Sequence, residues 1–226
     1  MKEKIKVKEM FVSTQGEGPF VGHRQLFVRF CGCNLACEYC DTDFTLQDNL
    51  SAYTVEDLSL EINKHKDIHS VSFTGGEPLL HAKFLKDLLP RLDKKVYLET
   101  NATLADELAE VLPLVNIISA DIKLPSATGI KDTFSKHDKF FSVARQNKDV
   151  YLFAKMVFDE KVTDEEIEQA TQLAKKYAIE LILQPKTDVS GHLPSNEVVE
   201  RVFTKCLRNT PNVRLIPQVH KFLDIR

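Results

Sequence analysis

Cys33-Asn34-Leu35-Ala36-Cys37-Glu38-Tyr39-Cys40-Asp41-Thr42 sets three cysteines at C-x3-C-x2-C within one short loop. Thiolates are soft ligands, so this spacing favours zinc or an iron-sulfur cluster over hard cations. A cubane cluster has four irons and ordinarily takes four cysteines. A loop that supplies three leaves one iron open to another ligand, and the chemistry is expected at that open position. The competing readings are a structural zinc site, which would draw a fourth Cys or His from near by in sequence, and a buried cluster of unligated thiols.

Outward from the loop, strand and helix patterns alternate. Gln25 to Phe30 is a mostly apolar, alternating strand that delivers Arg29 to the cysteine loop. Before it, Ser13 to Pro19 carries two glycines and a proline and reads as a loop. Met1 to Lys8 alternates lysine with Ile5 and Val7, which suits an edge strand and lacks the apolar stretch of a signal peptide. Downstream, Thr54-x-x-Asp57 resembles a capping box opening a helix with Val55, Leu58 and Ile62 on one face. Strands at Val71–Phe73, Val96–Leu98 and Val115–Ser119 then alternate with helices around Leu80–Leu89 and Leu104–Leu112. The stretch from Pro125 to Asp149 is more polar and is expected to carry a helix and a mobile loop. Tyr151–Val157, with Lys155 inside it, is a strand, and Thr163-x-x-Glu166 caps the next helix. A strand at Ile179–Leu183, a helix from Ser195 to Leu207 and a strand at Val213–Ile216 complete the series.

This alternation implies right-handed βαβ units and a parallel sheet, six or seven strands curled into a partial β/α barrel within one domain, 1–226. Arg29 and the cysteine loop, Thr74-Gly75-Gly76-Glu77-Pro78, Glu99-Thr100-Asn101, Asp121-Ile122-Lys123 and Gln184-Pro185-Lys186 all follow C-terminal ends of strands. Barrel enzymes assemble their sites on that rim. The glycines of Gly75-Gly76 are expected to allow close backbone approach to a ligand, with the Glu77 carboxylate or the loop's own backbone groups as contacts.

Composition narrows the function classes. A formal charge of -3 gives no electrostatic footprint for nucleic acid, and no run of 18 apolar residues is present to span a membrane. Four of the five cysteines fall within ten residues, which is no disulfide framework for a chain of this size and suits a cytoplasmic protein. Cys206 follows Val198, Val199, Val202 and Phe203 at helical spacing and reads as a small core residue. Cys31, two before Cys33, is read as packing, although i and i+2 share a strand face and the fourth-ligand role stays open.

The three-cysteine loop resembles the radical S-adenosylmethionine (SAM) superfamily, in which this motif holds a 4Fe-4S cluster whose fourth iron is chelated by SAM. The resemblance assigns Cys33, Cys37 and Cys40 to the cluster and Gly75-Gly76-Glu77-Pro78 to the methionine amino group. It places Tyr39, Cys40, Asp41, Gly75, Gly76, Glu77, Glu99, Asn101, Asp121, Ile122, Lys123 and Gln184 around SAM. Ala102 stands where the superfamily segment usually has glycine, and Asp121-Ile122-Lys123 where Ser-Pro-Lys is commoner.

Thr14-Gln15-Gly16-Glu17-Gly18, Arg29, Cys40-Asp41-Thr42 and Gln218-x-His220-Lys221-Phe222-Leu223 together resemble the 7-carboxy-7-deazaguanine synthase family along nearly the whole chain. That likeness implies 6-carboxy-5,6,7,8-tetrahydropterin as substrate and 7-carboxy-7-deazaguanine as product. Ammonia is lost, a 5'-deoxyadenosyl radical abstracts hydrogen at C6, and no catalytic side chain acts beyond the cluster and SAM. It implies substrate contacts from Thr14, Gln15, Gly16, Glu17, Arg29, Thr74, His220 and the terminal carboxylate of Arg226, with Mg2+ on the Thr42 hydroxyl. A flavodoxin or ferredoxin-type reductant and a homodimer are implied as partners. A radical SAM activase of a partner protein's glycine and a non-catalytic metal-binding module are the alternatives; neither has a use for the Thr14–Gly18 loop.

Overall fold

The computed structural model describes residues 3–40, 44–47, 49–131, 133–188 and 190–225. Strands β1 (Ile5–Thr14), β2 (Arg24–Phe30) and β3 (Ala52–Tyr53) precede helix α1 (Val55–Asn63). The chain then runs β4 (Ser70–Gly75), α2 (Ala82–Leu88), β5 (Lys95–Thr100), α3 (Ala105–Val111) and β6 (Ile117–Ile122). Next come α4 (Pro125–Thr128), α5 (Phe134–Ala144), β7 (Tyr151–Phe158) and α6 (Asp164–Lys176). The last elements are β8 (Glu180–Pro185), α7 (Asn196–Asn209), β9 (Val213–Leu215) and α8 (Val219–Leu223).

These strands make one sheet in the order β3-β1-β2-β4-β5-β6-β7-β8-β9. From β2 to β9 every pairing is parallel, while β1 pairs antiparallel with β2 and β3. The parallel run of seven is the expected partial barrel, and β1 and β3 bring the sheet to nine strands. The edge-strand reading of Met1–Lys8 is corrected accordingly. β1 begins at Ile5, runs to Thr14 and is flanked on both sides, its outer neighbour β3 pairing only at Ile5 and Lys6.

Helix ends follow the local sequence. Thr54 and Thr163 each cap the backbone N–H three residues on, and Asp57 and Glu166 return the bond to the cap N–H, two capping boxes. Ser195 caps α7 through Val198 N–H. Pro90 and Pro113 follow α2 and α3 within short 3-10 turns, since neither ring can continue an α-helix.

Parallel strands buried on both faces usually read as continuous apolar runs. Here many of the alternate residues are polar, so the two faces of the sheet differ. Leu26, Val28, Val71, Phe73, Leu98, Ile118, Ala120, Met156 and Leu183 belong to the main core beneath the helices. The alternate positions face the barrel interior. At its floor, Tyr97, Ile117, Phe153 and Ile182 form a separate cluster closed by Phe20, whose ring meets Tyr97 edge-on at 5.7 Å. Above that apolar plug the inner face turns to Gln25, Ser72, Glu99, Ser119, Lys155 and Gln184, all buried or nearly so. An interior polar layer over an apolar floor is the shape of a binding lumen.

Candidate active site

The inner polar layer opens into a cavity of about 250 Å3 on the C-terminal rim. Cys33, Cys37 and Cys40 all line it, as do Thr74, Gly75, Gly76, Glu99, Asn101, Asp121, Lys123 and Gln184, so the polar motifs read at strand ends converge as expected. The cysteine loop is tied down by backbone bonds: Gly32 N–H to Phe44 O at 2.9 Å, Glu38 N–H to Thr128 O at 2.9 Å and Cys40 N–H to Cys37 O at 3.1 Å. Burial raises the Cys33 and Cys37 thiols above their ordinary pKa, and the nearby charge of Lys123 works against this. Leu35 N–H points at Cys33 Sγ at 3.4 Å and Asn101 Nδ2 stands 3.9 Å from it. Among the described residues no three His, Cys, Asp or Glu side chains gather closely enough for one ion.

Cys31 lies outside this set. It is buried against a second groove on the outer side of the loop, and its carbonyl meets His81 Nε2 at 3.0 Å. Gly32 adopts φ +83 directly after β2, so the chain turns and the i, i+2 relation between Cys31 and Cys33 is broken. Packing is therefore its role in the fold.

Gly75 and Gly76 line the cavity, and the segment also approaches protein closely: a Cβ on Gly76 would lie 1.7 Å from Gly32 O. Gly76 N–H donates to Phe30 O at 3.2 Å and Glu77 N–H to Gly32 O at 2.8 Å, welding the segment under the cysteine loop. Glu77 does not face the cavity. Wholly buried, its carboxylate accepts from Leu79 N–H (3.1 Å), Thr100 Oγ1 (2.9 Å) and Asn101 N–H (2.8 Å), so it brackets the loop after β5. Burial pushes its pKa up to about 7, opposed by those three donors. Ile122 is likewise corrected: its side chain is in the core and does not line the cavity.

The loop after β5 also carries Ala102 at φ +56, a left-handed conformation that explains why glycine is common there. It is held by His137 from α5, whose Nδ1 meets Ala102 O at 3.0 Å while Nε2 accepts from Lys123 N–H at 3.1 Å. One buried imidazole thus fastens two cavity segments to each other. This assigns a place to part of the 125–149 stretch, which forms α4 and α5 with Phe134, His137, Phe140, Phe141 and Ala144 inward.

Charges cross the cavity in a chain. Lys155 Nζ donates to Glu17 Oε2 and stands 3.3 Å from Asp121 Oδ1. Asp121 Oδ2 takes Lys123 Nζ at 2.8 Å, and Lys123 Nζ reaches Tyr39 OH at 3.1 Å. Burial alone would raise the Glu17 carboxyl, but Lys155 and a 3.0 Å hydrogen bond from Gln218 bring it down to about 2. Desolvation would likewise raise Asp121, whose side chain is 20% exposed, but Lys123 and Lys155 hold it below its ordinary value.

Gln15 lines the cavity and is also held within the fold. Its Nε2 donates to Gln25 Oε1 (3.0 Å) and Glu99 Oε1 (2.8 Å), and its Oε1 accepts Glu17 N–H (3.0 Å). Glu99 is fed further by Ser72 and Thr74 hydroxyls at 3.1 and 3.0 Å. Arg29, level with Thr74 on the adjacent strand, pairs with Glu9 at 2.8 Å and lies over the Phe11 ring at 5.3 Å. Thr14, Gly16 and Glu17 line the cavity, and His220 packs on Gly16 from α8. Asp41, Thr42 and Arg226 lie outside the described residues.

Gln184 Oε1 and Thr187 Oγ1 are buried on this cavity with no hydrogen-bond partner among the described residues. Orphaned polar atoms facing a cavity call for a polar ligand, and with the three thiols they fit SAM and its cluster. Lys155 and Thr187 line the cavity without having been expected there, while Lys186 and Gln218, which also line it, fall in motifs read at a strand end and near the C-terminus. A lysine inside an otherwise apolar strand was the available signal for Lys155; Thr187 had none.

A family model described as the Radical SAM superfamily matches residues 27–176. The chain is 37% identical to a 7-carboxy-7-deazaguanine synthase of Archaeoglobus fulgidus, covering 96% of this chain and 97% of that one. It is 36% identical to that of Geobacter sulfurreducens, with 96% of each covered. In fold it is similar to the crystal structure of QueE from Escherichia coli, with a TM-score of 0.62 at 20% identity over 96% of this chain and 95% of the other. Archaeal TYW1 superposes with a TM-score of 0.58 at 12% identity, over 84% and 73%. The protein belongs to the 7-carboxy-7-deazaguanine synthase family, radical SAM enzymes of 7-deazapurine biosynthesis.

Proposed function

We propose that the chain converts 6-carboxy-5,6,7,8-tetrahydropterin to 7-carboxy-7-deazaguanine with loss of ammonia, as one radical SAM domain over 1–226. The observation that carries this reading is the meeting of the cysteine loop, the Gly75-Gly76 seam and the Glu17 and Arg29 side chains on a single cavity. When bound, the 4Fe-4S cluster and SAM supply the electron and the organic radical that begin the reaction.

The chain's own residues bind and orient. Cys33, Cys37 and Cys40 hold the cluster. Asn101, Asp121, Lys123 and Tyr39 border SAM, with the unpartnered Gln184 Oε1 as an acceptor for it. Glu17, ionised through Lys155, accepts from the amino and ring N–H donors of the pterin. Arg29 gives one nitrogen to Glu9 and has further donors in its fork for the substrate carboxylate. The Thr74 hydroxyl, donating to Glu99, keeps its lone pairs for the pterin. His220 closes the wall beside Gly16, and the terminal carboxylate of Arg226 is assigned to the substrate by the family likeness alone. By the family likeness the Thr42 hydroxyl would hold Mg2+, which would supply a Lewis-acid contact for the substrate carboxylate. A flavodoxin or ferredoxin-type reductant, a homodimer and a cytoplasmic location complete the reading.

The carboxylate grip tests it. Loss of one partner of a buried charge pair costs about 2–5 kcal/mol, so Arg29→Ala is expected to slow turnover on the order of 10^2-fold or more. Iron content and slow uncoupled SAM cleavage should persist. The unmodified enzyme should discriminate against a tetrahydropterin lacking the 6-carboxylate by a similar factor, and Arg29→Ala should not discriminate. Turnover of the carboxylated pterin at the unmodified rate by Arg29→Ala would refute the assignment.

A further inference from the structure

We propose that Lys155 is a positioning residue that couples pterin binding to SAM binding, so that each ligand tightens the other; this rests on the substrate and cofactor reading above. Lys155 sits mid-strand in β7, directly beside Asp121 in the parallel register, with its side chain only 7% exposed. Its ammonium is shared by two carboxylates from distant parts of the chain: Glu17 on the loop after β1, and Asp121 at the end of β6. Beyond Asp121 the chain of charges continues to Lys123 and Tyr39 on the cysteine loop. Beyond Glu17 it continues to Gln218 next to α8. A ligand at Glu17 and a ligand at Lys123 are therefore joined through one cation.

The sign of the coupling follows from the position of one ammonium between two carboxylates. Lys155 Nζ stands nearer Glu17 than Asp121, which is 3.3 Å away, and cannot close on both. Pterin N–H donors arriving at Glu17 take over part of the work of Lys155 there. The ammonium then leans toward Asp121, and Asp121 loosens its hold on Lys123. The freed Lys123 donor is available to the carboxylate or hydroxyl oxygens of SAM. Because these side chains are at most 20% exposed, solvent and salt screen the exchange less than they would on the open surface. Coupling between sites typically reaches 5–150-fold and is reciprocal.

The test is equilibrium dialysis of the cluster-loaded protein, anaerobic and without reductant so that SAM stays intact. SAM affinity is measured with and without 6-carboxytetrahydropterin, and pterin affinity with and without SAM. The unmodified protein should bind SAM roughly 10-fold more tightly with pterin, with the same factor in the reverse measurement. Lys155→Met should bind both ligands with a factor near one, and Lys155→Arg, which keeps the charge and several donors, should restore part of the coupling. Glu17→Gln breaks the same link from a loop rather than a strand: at pterin concentrations that saturate it, SAM affinity should equal that without pterin. Equal SAM affinities with and without pterin in the unmodified protein overturn the proposal. So does wild-type coupling in Lys155→Met or in Glu17→Gln. Absence of pterin binding by the unmodified protein is a separate outcome that overturns the substrate reading, and with it this inference.

Discussion

Gly76→Ala isolates the seam between the Gly-Gly segment and the cysteine loop. An added Cβ would stand 1.7 Å from Gly32 O, whereas ordinary contact begins at 3.4 Å. The obstacle is backbone, so no side chain can rotate away. Relief requires the strands' ends to part by about the difference, which breaks Gly76 N–H to Phe30 O (3.2 Å) and Glu77 N–H to Gly32 O (2.8 Å). Those two bonds are worth about 1 kcal/mol each, and overpacking of a tight site adds about 1–3 kcal/mol. The total of about 3–5 kcal/mol is a large part of the stability of a typical domain and corresponds to a melting temperature lower by roughly 6–20 °C. Because Cys33 N is also only 3.1 Å from the new atom, the same displacement moves the first cysteine. Thermal denaturation and iron content after anaerobic reconstitution measure both effects. Normal iron loading with an unshifted melting temperature would show that the seam does not position the cysteine loop.

Two further outcomes are expected. Glu77 has its folded pKa raised from 4.5 to about 7, so its neutral form is favoured by folding and its contribution falls as pH rises through that window. The stability of the unmodified protein relative to Glu77→Gln should therefore drop by about 3 kcal/mol between pH 4.5 and 7, and a difference that is flat with pH in urea titrations would refute this. His137→Phe leaves Ala102 O and Lys123 N–H without their shared partner at about 1–3 kcal/mol each. SAM binding should weaken while iron content is kept, and unchanged SAM affinity in the folded variant would deny His137 its bracing role.

Much of this architecture is legible in sequence because the signals are local. Thr54, Thr163 and Ser195 announce helix starts through bonds made within three residues. The cysteine spacing and strand-end motifs locate the rim for the same reason. Orientation and distant partnership are not local. Glu77 looks like a ligand contact by residue type, yet it turns its polar atoms into the fold. Lys155 is visible as a charge inside an apolar strand, but its partners Glu17 and Asp121 lie 138 and 34 positions away. The α5 helix was obscured by Lys136, Asp138 and Lys139 between its buried aromatics. β3 has only two residues, too few for any periodicity, so the neighbour of β1 could not be foreseen.

The most direct measurement is anaerobic turnover. Cluster-loaded protein is given SAM, a chemical reductant, Mg2+ and 6-carboxytetrahydropterin, and the products are followed by mass spectrometry. The account predicts 5'-deoxyadenosine together with 7-carboxy-7-deazaguanine. Deoxyadenosine without the deazaguanine would contradict it and make a partner-protein activase the better description.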